Sequence, residues 1–374
     1  MIRNKRLKIH WVTQIHNLVA NALGYNTHNK FMRKYCSQIM DFDDTAPVAL
    51  NITPADHYFT IPGKFNILFS MWEFTDLPDT YIEGINKADA VIVPSRFCKD
   101  LFKRYTRKPI EVCWEGVEPE KFTFYERRFP DFKKGERFRF LWVGAPNPRK
   151  GYPLILEACK LVEKIPHLEM YIKTTMPDIN WIKTIKNTWK YRKYIFRDFY
   201  NTKRWGLALI RSIRRIPKPI YRNTVKVLGK HKNIIFDTRI LPLEELVKLY
   251  HSAHCFLLPT LGEGWGLTLC EAMATGCPSI ATPVTGCADF FNENVGYPIK
   301  YELKEKYMEN YKVHTKVFVP DTVDLIEKMV YVFKNYREAL KKGKSASTRI
   351  RNKFTWELSA KRMDNIIRGF INAN

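Results

Sequence analysis

The chain has 374 residues, 45% of them hydrophobic and 14% aromatic, which is enough for two domains that each bury a core. This composition excludes a disordered or low-complexity protein. Lys and Arg number 62 against 38 Asp and Glu, a formal net charge of +24, so the partners to consider are phosphorylated substrates, anionic membrane and nucleic acid.

The eight cysteines include no Cys-x-x-Cys pair, and no His cluster has zinc spacing, so they read as reduced core thiols and no metal site is expected. The basic N-terminus has no apolar core of a signal peptide, and no apolar run reaches the ~18 residues of a membrane span. A cytoplasmic location is the expectation.

Along the first half, residues 7–12 read as a strand and Gly24 as a turn, followed by a helical stretch at 30–40. Residues 65–71 (FNILFSM) and 90–94 (AVIVP) are apolar runs of buried-strand type, with a helical pattern at 82–87 between them. Ser95 stands where an N-cap belongs, ahead of a helix at 97–105, and 110–113 is a further short strand. Strands alternating with helices imply a parallel sheet. Residues 126–134 are polar and charged and read as an interdomain linker. A second α/β series follows, with strands at 138–143, 170–173, 234–236, 255–258 and 279–281 and a helix at 154–163. Two such halves usually hold a ligand in the cleft between them.

The most informative stretch is 259–278, PTLGEGWGLTLCEAMATGCP. An apolar strand runs into a glycine-rich turn that opens a helix. Glycines let the backbone approach a ligand, and the helix start offers amide N–H groups and a positive dipole end. Glu263 and Glu271 lie eight positions apart, one in the turn and one within the helix. Glu263 is placed to meet a polar ligand at the helix mouth, and Glu271 to accept hydrogen bonds from a diol deeper in.

This string resembles the Glu-x7-Glu signature of glycosyltransferase family 4, in the form E-G-[FW]-G-L-x-x-x-E-A-M-A-x-G-x-P. Gly144 through Gly151, with Arg149 and Lys150, is similar to that family's phosphate loop, although Ala145 stands where the family often has Arg. Trp72-Glu73, Leu77-Pro78 and 88–97 resemble a subgroup with W-E…L-P and D-x-V-x-x-P-S-x-F motifs; many members place a His near Glu73. Gly24-Tyr25 resembles the N-terminal glycine loop, 116–122 the G-V-[DE]-P-x-x-F interdomain turn, 285–290 a T-G-x-x-[DE]-F segment beside the sugar, and 354–357 an F-[ST]-W segment.

The resemblance implies an α/β GT-B fold, two Rossmann-like domains facing across a cleft. It assigns 1–130 to an acceptor-side domain, 131–352 to a donor-binding domain and 353–374 to a helix crossing back. It implies a retaining, metal-independent hexosyltransferase using a nucleoside diphosphate sugar and no cofactor, with no covalent nucleophile. Lys150 and Arg149 would steady the departing diphosphate, Glu271 the ribose, and Glu263 with the N–H groups of Trp265 and Gly266 the sugar; Glu73 would face the cleft. Gly24, Gly144, Gly264 and Leu267 would complete the donor contacts.

Residues 179–232 carry sixteen bases against one acid, Asp198, interleaved with Trp181, Trp189 and Trp205. This basic insertion in the donor half suits an anionic membrane or a lipid-linked acceptor, with rings at headgroup depth. It suits nucleic acid as well. The leading expectation is a peripheral enzyme on the inner membrane face that extends a lipid-linked or surface polysaccharide glycan. The alternatives are a base-modifying glycosyltransferase acting on nucleic acid and a non-catalytic binder of nucleotide or polyanion.

Overall fold

The computed structural model describes residues 9–12, 47–174, 225–229, 231–309 and 311–373. Gly24, the helical stretch at 30–40 and nearly all of the basic insertion lie outside the described residues. The chain divides into two compact units, one drawn from Met1–Trp72, Leu77–Trp114 and Ser359–Asn374, the other from Glu73–Asp76 and Glu115–Leu358.

The first unit is a five-stranded parallel sheet in the order β1 (Ile9–Val12), β2 (Val48–Ile52), β3 (Phe65–Phe69), β4 (Ala90–Val93), β5 (Ile110–Val112). β3 and β4 are apolar almost throughout because a parallel sheet is covered on both faces. Helix α1 (Asp79–Lys87) follows β3, and α2 (Arg96–Phe102) follows β4. Ser95 caps α2 as its sequence suggests, accepting from the Cys98 amide at 3.3 Å. Val48, Leu50, Ile67, Phe69 and Ile92 form the core with Ile367 and Phe370 near the C-terminus.

The second unit has a seven-stranded sheet. In chain order its strands are β6 (Phe138–Val143), β7 (Leu168–Lys173), β8 (Val225–Leu228), β9 (Ile234–Asp237), β10 (Cys255–Leu258), β11 (Ser279–Ala281) and β12 (Tyr297–Pro298). Their spatial order is β12-β11-β10-β6-β7-β9-β8, parallel except for β8 against β9. The order reverses between β6 and β10. One half of the chain builds outward through β7 and β9, and the other through β11 and β12. The carboxyl ends of β6 and β10 therefore mark the switch point at which open α/β sheets bind ligands. Helices α3 (Tyr152–Lys164), α4 (Leu243–Ser252) and α5 (Leu267–Ala274) join these strands. A two-stranded antiparallel hairpin, β13 (Tyr301–Met308) with β14 (Val313–Pro320), precedes α6 (Thr322–Lys334) and α7 (Tyr336–Lys353). Helix α8 (Trp356–Asn372) ends the chain, and its residues from Ser359 onward belong to the first unit.

The stretch 126–134 does not behave as a loose linker. Arg127 is buried in the second unit and donates to the carbonyls of Tyr125, Ala253, Tyr250 and Thr275 and to Thr275 Oγ1. A guanidinium with five N–H donors satisfies itself on backbone carbonyls without a carboxylate. The second unit thus begins at Glu115, ahead of the boundary that polarity alone suggests at 130.

Candidate active site

Two loops meet where the strand order reverses. The first leaves β6 through Gly144, whose amide donates to the Lys173 carbonyl at 3.0 Å. Asn147 then accepts from the Lys150 amide through Oδ1 at 3.0 Å and caps a single 3-10 turn, Pro148–Lys150. Gly151 closes the loop at φ +71°, and a Cβ there would stand 1.8 Å from the Pro259 carbonyl oxygen, so only glycine lets the loops touch. This turn presents Arg149 and Lys150 side by side.

The second loop leaves β10. Thr260 Oγ1 lies 2.9 Å from the Arg149 carbonyl and 3.2 Å from Glu263 Oε1, and it accepts from the Gly262 amide. Glu263 is 4% exposed. Its Oε2 lies 2.6 Å from Lys150 Nζ and 3.4 Å from an Arg149 terminal nitrogen. The same Arg149 nitrogen donates to the Gly262 carbonyl at 2.8 Å and reaches Glu73 at 3.3 Å. Thr285 fixes the backbone of Glu263 from the far side, accepting from its amide at 2.8 Å, with its Oγ1 also 2.8 Å from the Glu263 carbonyl.

Glycines set the closeness here as well. A Cβ on Gly262 would meet the Glu73 carbonyl oxygen at 2.2 Å, and one on Gly286 would meet the Gly264 carbonyl oxygen at 2.2 Å. Gly266 takes φ +110° as the N-cap of α5, and its carbonyl accepts from the Leu269 and Cys270 amides, which leaves the amides of Leu267 and Thr268 as the helix-start donors without an intrahelical acceptor. Leu267 is 37% exposed at that helix mouth. Trp265 is buried instead, its ring 4.9 Å from Phe290 and 5.3 Å from Phe354, so the indole is a packing element under the turn.

Glu73 and Glu263 pair with the two cations, and Glu115 lies within electrostatic reach of Glu263 and Lys150. Burial lifts Glu73 above the usual carboxylate range; Glu263 adds to this, while Arg149 and Lys150 oppose it. Burial, helped by Glu263 and opposed by Lys150, pushes Glu115 up to about 7. Burial works against the Arg149 charge, yet Glu73 and Glu263 hold its pKa above the ordinary value. Glu271 sits apart from these ion pairs. It accepts from Tyr250 Oη at 2.7 Å, and burial pushes it up to about 7 against that bond.

Of the residues singled out by sequence, Glu73, Arg149, Lys150, Glu263 and the glycines of both loops come together, and Glu271 lies within α5. Glu115 was missed, although it stands directly before the Gly116-Val117 turn; so was Tyr250, which only tertiary packing brings to Glu271. That turn is real: Val117 bridges to Thr355, and a Cβ on Gly116 would meet the Thr355 carbonyl carbon at 2.4 Å. Among the described residues no group of three His, Cys, Asp or Glu side chains is arranged to hold a metal ion. No helix among them is long and apolar enough to cross a membrane.

Residues 215–334 match the family described as glycosyl transferases group 1. A stretch of 67 residues, 18% of the chain, is 45% identical to a D-inositol 3-phosphate glycosyltransferase of Corynebacterium efficiens. That stretch spans only 15% of the relative's own length. Among solved structures, a glycosyltransferase from Rickettsia africae superimposes with a TM-score of 0.58 at 14% identity, over 98% of both chains. Sucrose-phosphate synthase from Thermosynechococcus elongatus gives 0.58 at 16%, over 96% of this chain and 80% of its own. HepE of Anabaena, solved in complex with UDP-glucose, gives 0.59 at 11%, over 86% and 79%. The fold is therefore that of the GT-B glycosyltransferases, and residues 215–334 are similar to the group 1 glycosyl transferases.

Proposed function

We propose that this chain moves a sugar from a nucleoside diphosphate sugar to an acceptor hydroxyl with retention of configuration, as the family 4 subgroup bearing W-E…L-P does. The observation that carries the reading is the pairing of Lys150 and Arg149 with Glu263 beside the open first turn of α5. Cations and helix amides suit a diphosphate that gains negative charge as it leaves, and no metal is needed for that stabilisation. Glu263 then gives up part of its ion pair and accepts from sugar hydroxyls, while Glu271 accepts from the ribose diol. In the chemical step the bond from the anomeric carbon to the phosphate oxygen breaks, and the nucleoside diphosphate keeps the electron pair. The acceptor oxygen bonds the same face, and its proton passes to the departing phosphate oxygen.

The acceptor proposed is a glycan, lipid-linked or part of a surface polysaccharide, met at an anionic membrane by the basic segment 179–232. The named activities of the relatives and the nucleotide sugar bound by HepE support a nucleotide-sugar donor. The test is a thermal-shift screen over UDP-, GDP- and ADP-sugars, because a ligand bound only by the native state raises the melting point. One class should raise it in the wild type and not in Lys150→Ala. No shift with any of them, together with no release of nucleoside diphosphate, refutes the reading.

A further inference from the structure

The hairpin β13–β14 has two unlike faces. On one, Thr315 and Val317 are buried. On the other, alternation places Tyr301, Leu303 and Tyr307 in a row opposite Phe318 and His314. Tyr301 packs edge-on against Phe318 at 5.5 Å, and Tyr307 lies tilted against His314 at 4.7 Å. Even so, Tyr301, Leu303 and Tyr307 remain 42%, 53% and 41% exposed. A row of half-exposed aromatic rings held rigid by cross-strand pairing is costly to leave bare.

The row is tied to the candidate active site at two points. Thr75 Oγ1 accepts from the Lys316 amide at 2.9 Å, and the Asp76 amide donates to Thr315 Oγ1 at 3.1 Å, so the segment that begins with Glu73 is stitched to β14. At the hairpin turn, Tyr311, 37% exposed, is within electrostatic reach of Arg149.

We infer that the exposed face of β13–β14 is the platform for a neutral carbohydrate acceptor, which lies along Tyr301, Leu303 and Tyr307 and offers its end near Tyr311. The occupant follows from chemistry. The charged side chains that share this face are Glu305, between Leu303 and Tyr307, and Lys316 opposite it, and the two pair at 3.3 Å, so the face has little charge to offer a phosphate backbone or an anionic leaflet. A sugar ring presents an apolar C–H face bordered by hydroxyls. Tyrosine presents a rigid apolar ring with a polar tip, at small entropic cost on binding.

This deepens the sugar-transfer reading above and rests on it. The probe is an array of short neutral oligosaccharides of hexose and N-acetylhexosamine, incubated with protein and UDP. The wild type should retain a subset of these glycans. Tyr301→Ala with Tyr307→Ala should bind that subset about tenfold more weakly, and Tyr301→Phe with Tyr307→Phe should keep it. The Ala variant's donor-induced melting shift should persist, which separates a lost platform from a lost fold or donor site. The proposal is overturned if the wild type retains no neutral glycan, or if the Ala variant retains the same set equally well. It is also overturned if the hairpin changes instead abolish capture by phosphatidylglycerol vesicles. Absence of any donor-induced shift in the wild type overturns this proposal and the sugar-transfer reading together.

Discussion

Replacing Glu271 with Gln should remove a pH-dependent stability cost. Burial lifts this carboxyl from 4.5 to about 7, so between those values the folded chain holds a proton that the unfolded chain has lost. The raised pKa favours folding below about pH 4.5, and that advantage disappears as pH rises through about 7. At about 1.4 kcal/mol per pH unit, the wild type loses roughly 3 kcal/mol relative to the amide by pH 8, but only about 1 kcal/mol at pH 5. Gln keeps an oxygen for the Tyr250 hydroxyl, so the hydrogen bond survives in the variant. Urea denaturation of both proteins at pH 5 and pH 8, followed by tryptophan fluorescence, measures the difference. Glu271→Gln should gain on the wild type by roughly 2 kcal/mol between the two pH values. An equal difference at both would show that Glu271 ionises freely in the folded state and would refute the argument.

In steady-state kinetics Glu263→Ala should lower kcat and Glu271→Ala should raise the donor KM, each about 10- to 100-fold for a lost charged acceptor worth roughly 1.5–3 kcal/mol; wild-type kinetics in both would remove these roles. Transfer should survive EDTA, and loss that Mg²⁺ or Mn²⁺ restores would contradict a cationic diphosphate grip. Donor affinity by calorimetry should fall as pH rises through about 7, because Glu115 then ionises beside Lys150; a flat profile would exclude Glu115 from the grip. Neutralising Lys190, Arg192, Lys193 and Arg197 together should strip binding to anionic vesicles, at roughly 1 kcal/mol per charge, while leaving soluble-donor hydrolysis unchanged; capture of DNA in place of vesicles by the wild type would favour the nucleic-acid alternative.

The strands flanking the site were readable because parallel strands are buried on both faces. Residues 255–258 are a continuous apolar run and 138–143 one broken only by Arg139, and they give way directly to Pro259 and Gly144. The loop residues Arg149, Lys150 and Glu263 were readable from residue type next to glycine. What local pattern missed depends on distant partners. Arg127 sits in a polar stretch, yet it is buried because carbonyls from α4 and from the end of α5 converge on it. Tyr250 lies 21 positions before the carboxyl it serves. The hairpin was passed over although its apolar and polar residues alternate in part, because many charged side chains in both strands make the stretch look like a solvated loop.

Charge balance explains why the cluster suits an anion despite holding more acids than bases. If Glu73, Glu115 and Glu263 were all ionised, they would outnumber Arg149 and Lys150 and repel a diphosphate. Burial lifts Glu73 and Glu115, whereas Glu263 keeps the short contact to Lys150. Below about pH 7 Glu115 holds a proton, which removes its charge from the acid side of the balance and leaves Arg149 and Lys150 facing Glu73 and Glu263. An arriving diphosphate deepens that state, since added negative charge raises the neighbouring carboxyl pKa values further. In the proposed mechanism Glu263 is the carboxylate that exchanges partners when the diphosphate comes in. Its backbone is clamped by Thr285 and crowded by glycine contacts, which would hold it still while its side chain exchanges a lysine for a sugar hydroxyl. Glu271, held by Tyr250 and apart from those ion pairs, needs no such exchange, which is consistent with the donor-holding role proposed for it.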